Sequence, residues 1–142
     1  MAIFQGQCTS FKTELLQAVH NFSVVGGDTF KLALYTASAN LGADTTVYTT
    51  SGEVTGTNYT AGGAVLTKIQ PTSSGTTAFV SFDPLTFSNV TLTTRGALIY
   101  NASKANKAVC VLNFGIDVTK TAANLVIVFP PASAADAILR IA

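Results

Sequence analysis

One histidine (His20), two cysteines (Cys8 and Cys110) and seven carboxylates are what this 142-residue chain offers for acid–base, nucleophilic or metal chemistry. A single histidine cannot build a multi-histidine metal site within one chain. Cys8 or Cys110 with His20 would make a nucleophile–base couple. Cys110, however, lies in the apolar run AVCVL and reads as a small buried hydrophobe. His20 follows the helical pattern of residues 9–20, where a cation suits the negative end of the helix dipole. The carboxylates are Glu14, Asp28, Asp44, Glu53, Asp83, Asp117 and Asp136. Almost all stand beside Gly, Pro or Thr, where a carboxylate hydrogen-bonds turn backbone. A glycosidase pair facing each other across a cleft, or Ca²⁺ held between subunits by Asp44 and Glu53, are the competing readings. No EF-hand spacing supports the second. The stretch GTNYTAGG lacks the lysine and following helix of a phosphate-binding loop. The N-x-Ser/Thr triplets at Asn21, Asn58, Asn89 and Asn101 are expected by chance in so Ser/Thr-rich a chain. The expectation is therefore no catalytic site, cofactor or metal.

The elements that position these residues read as β after one helix. TSFKTELLQAVH, residues 9–20, puts Phe11, Leu15, Leu16 and Val19 on one helical face, with Ser10 as a candidate cap. Short strands follow in TFKLALYT, TTVYTT, GGAVLTKIQ, TTAFVSFD, NVTLTTRGALIYNAS, NKAVCVLNFG, NLVIVFP and AILRIA. Turn signals separate them, and no βαβ rhythm appears. The pattern predicts an all-β single domain over 1–142, a sandwich or barrel of about eight short antiparallel strands with an N-terminal helix. Residues 108–112 and 125–129 are apolar at every position and predict central strands.

Charged residues make up 11% of the chain, against roughly 25% in soluble proteins. The net charge is +1. Thr, Ser, Asn and Gly must therefore cover much of the surface, and weak self-repulsion favours association. Scattered, balanced charge without Trp argues against direct nucleic-acid binding. No apolar run reaches the roughly 18 residues of a membrane span. The start MAIFQGQCTSFK lacks the basic and apolar regions of a signal peptide. Synthesis in a cytoplasm, with Cys8 and Cys110 as reduced thiols rather than a disulfide, is the corresponding expectation.

The succession FKTELLQAVHNF, DTFKLALYTASANLGADTTVYTTSGEVTGTNYTAGG, TTRGALIYN, NKAVCVLNFG and terminal ILRIA covers nearly the whole chain. It resembles small virion structural proteins of tailed bacteriophages and prophages. That resemblance implies a jelly-roll-like β-sandwich and a head decoration (cement) role on the outside of the shell. The implied partners are the major capsid protein and copies of the chain itself as dimer or trimer, with assembly in the host bacterial cytoplasm. A tail or head–tail junction component touching the host surface is the alternative, and a cell-wall hydrolase a more distant one. Low charge and missing chemistry agree with a subunit packed among neighbours. The long Thr/Ser/Gly/Asn segment 37–63 and residues 2–7 then become the expected partner interface. Ile3, Phe4, Tyr48, Thr50, Glu53, Asn58 and Tyr59 are its candidate contacts. Tyr48 and Tyr59 would be its anchors, since tyrosine joins large contact area to a polar tip; packing within the fold is the competing reading for both.

Overall fold

The computed structural model describes residues 2–142. It is mostly β, with 46% of residues in strands, two antiparallel sheets and one short helix. The elements are β1 (Gly6–Gln7), α1 (Thr9–Leu16), β2 (Phe30–Tyr35), β3 (Ala64–Val65), β4 (Thr72–Ser74), β5 (Thr77–Val80), β6 (Leu85–Asn101), β7 (Lys107–Ile127) and β8 (Leu139–Ile141). The larger sheet has the order β1-β7-β6-β2-β3, and the smaller β4-β5-β8.

The β6–β7 hairpin is the spine. Near its turn it is apolar on both faces: Ala97, Leu98, Ile99 and Tyr100 face no solvent, nor do Ala108, Val109 and Val111. β2, with Leu32, Ala33, Leu34 and Tyr35 all buried, pairs with this half of β6, and α1 packs against β7. Phe22 and Phe30 stack at 4.2 Å, and Phe82, which follows β5, lies 6.3 Å from Phe30 and 5.5 Å from Phe129. One aromatic cluster thus ties the larger sheet to the chain leaving the smaller one.

Several expectations are corrected. The helix ends at Leu16 rather than near residue 20, because Ala18 adopts φ 60° and turns the chain away. Of the expected apolar face, Phe11 is buried, Leu15 half-buried and Leu16 91% exposed. Cys8, not Ser10, occupies the N-cap, and no side chain caps the helix. The strands are not uniformly short. The stretches expected as two strands, 106–115 and 124–130, belong largely to the 21-residue β7, which faces the 17-residue β6. Between the pairs Thr94↔Val118 and Gly96↔Asn113, β7 carries three extra residues. Gly115, at φ 83°, lets the strand bulge there instead of turning. TTVYTT contributes only the bridge Val47↔Lys107. Residues 125–129 alternate, with Leu125, Ile127 and Phe129 buried but Val126 and Val128 exposed, so that stretch is not covered on both faces.

Candidate interaction surface

The Thr/Ser/Gly/Asn-rich segment 37–63 is organised around Glu53. Its Oε1 accepts from the Tyr48 hydroxyl at 2.6 Å, and its Oε2 from the Tyr59 hydroxyl at 2.6 Å and the Gly62 N–H at 2.8 Å. The Tyr59 hydroxyl also accepts the Leu34 N–H of β2 at 2.9 Å. Tyr100 of β6 donates to the Gly62 carbonyl at 2.6 Å, and its ring stacks on Tyr48 at 4.8 Å. Tyr35 donates to the Thr49 carbonyl. All four tyrosines of the chain therefore join this segment to β2 and β6. Burial, and then the Glu53 carboxylate beside them, pushes the Tyr48, Tyr59 and Tyr100 hydroxyls up, keeping them protonated donors. Gly63 completes the clasp at φ 77°: a Cβ there would lie 1.8 Å from the Leu32 carbonyl oxygen. Only glycine lets the backbone approach so closely.

This geometry sorts the expected contact residues. Tyr59, 9% exposed, and Ile3, 7% exposed, pack into the core. Tyr48 and Glu53 are half-buried and turned toward each other. Phe4, Thr50 and Asn58 are exposed. Phe4, 67% exposed, is the large apolar group among them. Asn58, at φ 63°, donates to the Asn89 carbonyl at 2.8 Å. The sequence reading missed the exposed Leu16, Val25, Ile116, Val128 and Ile141. The predicted helical face implies burial of Leu16 and the predicted central strand that of Val128; the early helix end exposes the first and the alternation of residues 125–129 the second.

A second polar cluster fastens the helix exit to the β6–β7 turn. Asn101, fully buried, donates through Nδ2 to Asp28 Oδ2 at 2.8 Å and to His20 Nδ1 at 3.0 Å. His20 Nδ1 is then the acceptor nitrogen, and Nε2 donates to Glu14 Oε1 at 2.9 Å. Asn101 Oδ1 accepts the Ser103 N–H. Asp28 also receives the Asn21 N–H and Lys104 Nζ, while Lys68 donates to its backbone carbonyl. Lys107 reaches Glu14 at 3.4 Å. Burial alone would push the Asp28 carboxyl up. Hydrogen bonds from Lys104, Asn101 and Asn21, with the Lys104 charge, outweigh it and hold the group below its ordinary value.

Both ring nitrogens of His20 are thus engaged by Glu14 and Asn101, and no hydroxyl or thiol hydrogen-bonds to either. Cys8 and Cys110 are free and buried. Burial, then Asp44 and Glu14, pushes the Cys8 thiol up to about 11, and burial pushes Cys110 up as well. Neither is poised as a thiolate nucleophile at neutral pH. Among the described residues, no group of three or more His, Cys, Asp or Glu is arranged to hold a metal ion, and no helix is long and apolar enough to cross a membrane. Comparisons with protein-family models, with curated proteins and with solved structures found no match.

Proposed function

We propose that the protein is a structural subunit of a tailed-bacteriophage virion, and within that class a head decoration (cement) protein. It binds the outside of the shell and bridges neighbouring subunits of the major capsid protein. The observation that carries this reading is the surface. A chain of net charge +1 leaves Phe4, Leu16, Val25, Ile116, Val128 and Ile141 each at least 60% exposed. Several of its charges are spent on internal pairs such as Asp28–Lys104 and Glu14–Lys107. Such a surface suits burial by neighbours better than dispersal as a free monomer. The resemblance of the sequence to virion structural proteins supplies the class. Two antiparallel sheets, with a phenylalanine cluster linking β2 to the chain that leaves β5, support a jelly-roll-like sandwich as its architecture. Each contact is modest, and many copies on one shell add up through avidity. Phe4, Thr50 and Asn58 remain the shell-facing candidates from the sequence, joined by the exposed apolar side chains.

Quantitative protein analysis and cryo-electron microscopy of purified particles test the reading. Hundreds of copies on the icosahedral shell are expected. About a dozen copies or fewer, on the tail or the head–tail junction, would replace decoration with a ring or host-contacting role. Absence from particles would overturn the virion assignment itself.

A further inference from the structure

We infer that the open seam between β1 and β8 is a docking site for an extended segment of a partner polypeptide. That segment alternates apolar side chains and carries a carboxylate, and it adds to the fold as a strand. Each strand is one terminal member of its sheet, β3 and β4 being the others, and the two are not hydrogen-bonded to each other. They nevertheless line one cleft of about 180 Å³, with Gln7 from β1 and Leu139, Arg140 and Ile141 from β8. Phe11, Leu15, Phe22 and Phe79 are among its apolar lining. Across the β1–β7 ladder, Cys8 N–H donates to the Val109 carbonyl at 2.9 Å. Backbone groups alternate along a strand, so those of Gln7 point away from β7 and remain open to pairing.

The contrast with β7 argues for use rather than accident. Beyond Val111, the outer edge of β7 is also unpaired by any strand. It is blunted by the bulge at Gly115 and by Ala122 at φ 47°, and Asn113 is tied to Gln5 and Ile3. Edges that must not pair are defended in this way. β1 and β8 carry no proline and one charge, Arg140. Ile141 is 60% exposed on that edge. Arg140 donates only to the Ala134 carbonyl, and no carboxylate lies within ion-pair distance of it among the described residues. An extended strand supplies main-chain hydrogen bonds that tolerate sequence, while the cleft takes its alternate apolar side chains. Arg140 selects a carboxylate at the rim. The inference does not depend on the virion reading, because the seam is a property of the isolated chain.

The test is an NMR titration of the full-length protein with a blocked heptapeptide alternating threonine and valine around a central aspartate. Saturable shifts are expected at the amides of Gly6, Gln7 and residues 139–141, with slowed hydrogen exchange at Gln7. A lysine-centred peptide should bind about two- to fivefold more weakly. Arg140→Glu, a change at an exposed side chain, should reverse that order. No saturable shift at several millimolar peptide overturns the proposal, as does binding confined to another surface. Shifts at the seam that follow protein concentration alone also overturn it, by assigning the seam to a second copy of this chain.

Discussion

Tyr59→Phe removes one oxygen atom from the Glu53 clasp and leaves the ring where it is. That oxygen accepts the Leu34 N–H and donates to Glu53 Oε2. Leu34 is fully buried in β2, so its N–H loses its partner away from water. Leaving such a group unsatisfied costs about 1–3 kcal/mol. Glu53 Oε2 keeps the Gly62 N–H, so its loss is a single charge-assisted bond in a half-buried site, about 1 kcal/mol. Together the substitution should lower unfolding stability by about 2–4 kcal/mol. Tyr48→Phe removes only the bond to Glu53 Oε1 at a half-buried hydroxyl, and should cost about 1 kcal/mol. Equilibrium urea unfolding measures both, and an unchanged denaturant slope is needed for the comparison. The ordering is the stringent part. If Tyr59→Phe costs less than about 0.5 kcal/mol, the value typical of surface changes, then Tyr59 is not holding β2. It would return to being a partner anchor.

Three further outcomes follow from the same bonding. Ser10 Oγ is buried without a hydrogen-bond partner, so Ser10→Ala should stabilise the protein by about 0.5–1 kcal/mol in thermal or urea unfolding. Gly63→Ala should destabilise by about 3 kcal/mol or more, combining a left-handed φ with a Cβ clash against Leu32, and should show as a large fall in Tm. Asp28, with its folded-state pKa lowered, contributes stability above its unfolded value of about 4 and loses it as pH falls through the folded value. Unfolding free energy of the wild type should therefore drop more steeply below about pH 4 than that of Asp28→Asn, measured by denaturation across that range.

Element types were legible where periodicity was strong. The strand at β2, the apolar run at 108–112 and the turn before β7 all read directly. What failed depended on backbone geometry that composition does not carry. Gly115 looked like a strand end because glycine commonly marks one, yet at φ 83° it bulges a strand that continues. Ala18 at φ 60° has no sequence signature, since alanine favours the helix it here terminates. The segment 37–63 read as adaptable loop because Thr, Ser, Gly and Asn dominate it. Its order comes from Tyr59 and Glu53 reaching β2 and Tyr48 stacking on β6, contacts between residues far apart in the chain. Phe4, Thr50 and Asn58 are exposed positions and Tyr59 is a buried one, a difference invisible in the sequence because aromatic type alone does not distinguish a core latch from an anchor.

The low surface charge and the two polar clusters are aspects of one arrangement. A long hairpin must hold a Thr/Ser/Gly/Asn-rich loop and a short helix. Apolar packing alone leaves such pieces free to slide, whereas a hydrogen-bonded network permits one register. Glu53 fixes the loop against β2 and β6. Asn101, Asp28, Lys104 and His20 fix the helix exit against the hairpin turn. Each of these groups would otherwise be available to the surface. Turning Asp28, Asn101 and His20 inward makes the fold specific and, at the same time, leaves an exterior with few and nearly balanced charges. With a net charge of +1, that exterior repels a second protein weakly, so contacts of modest area need overcome little electrostatic cost.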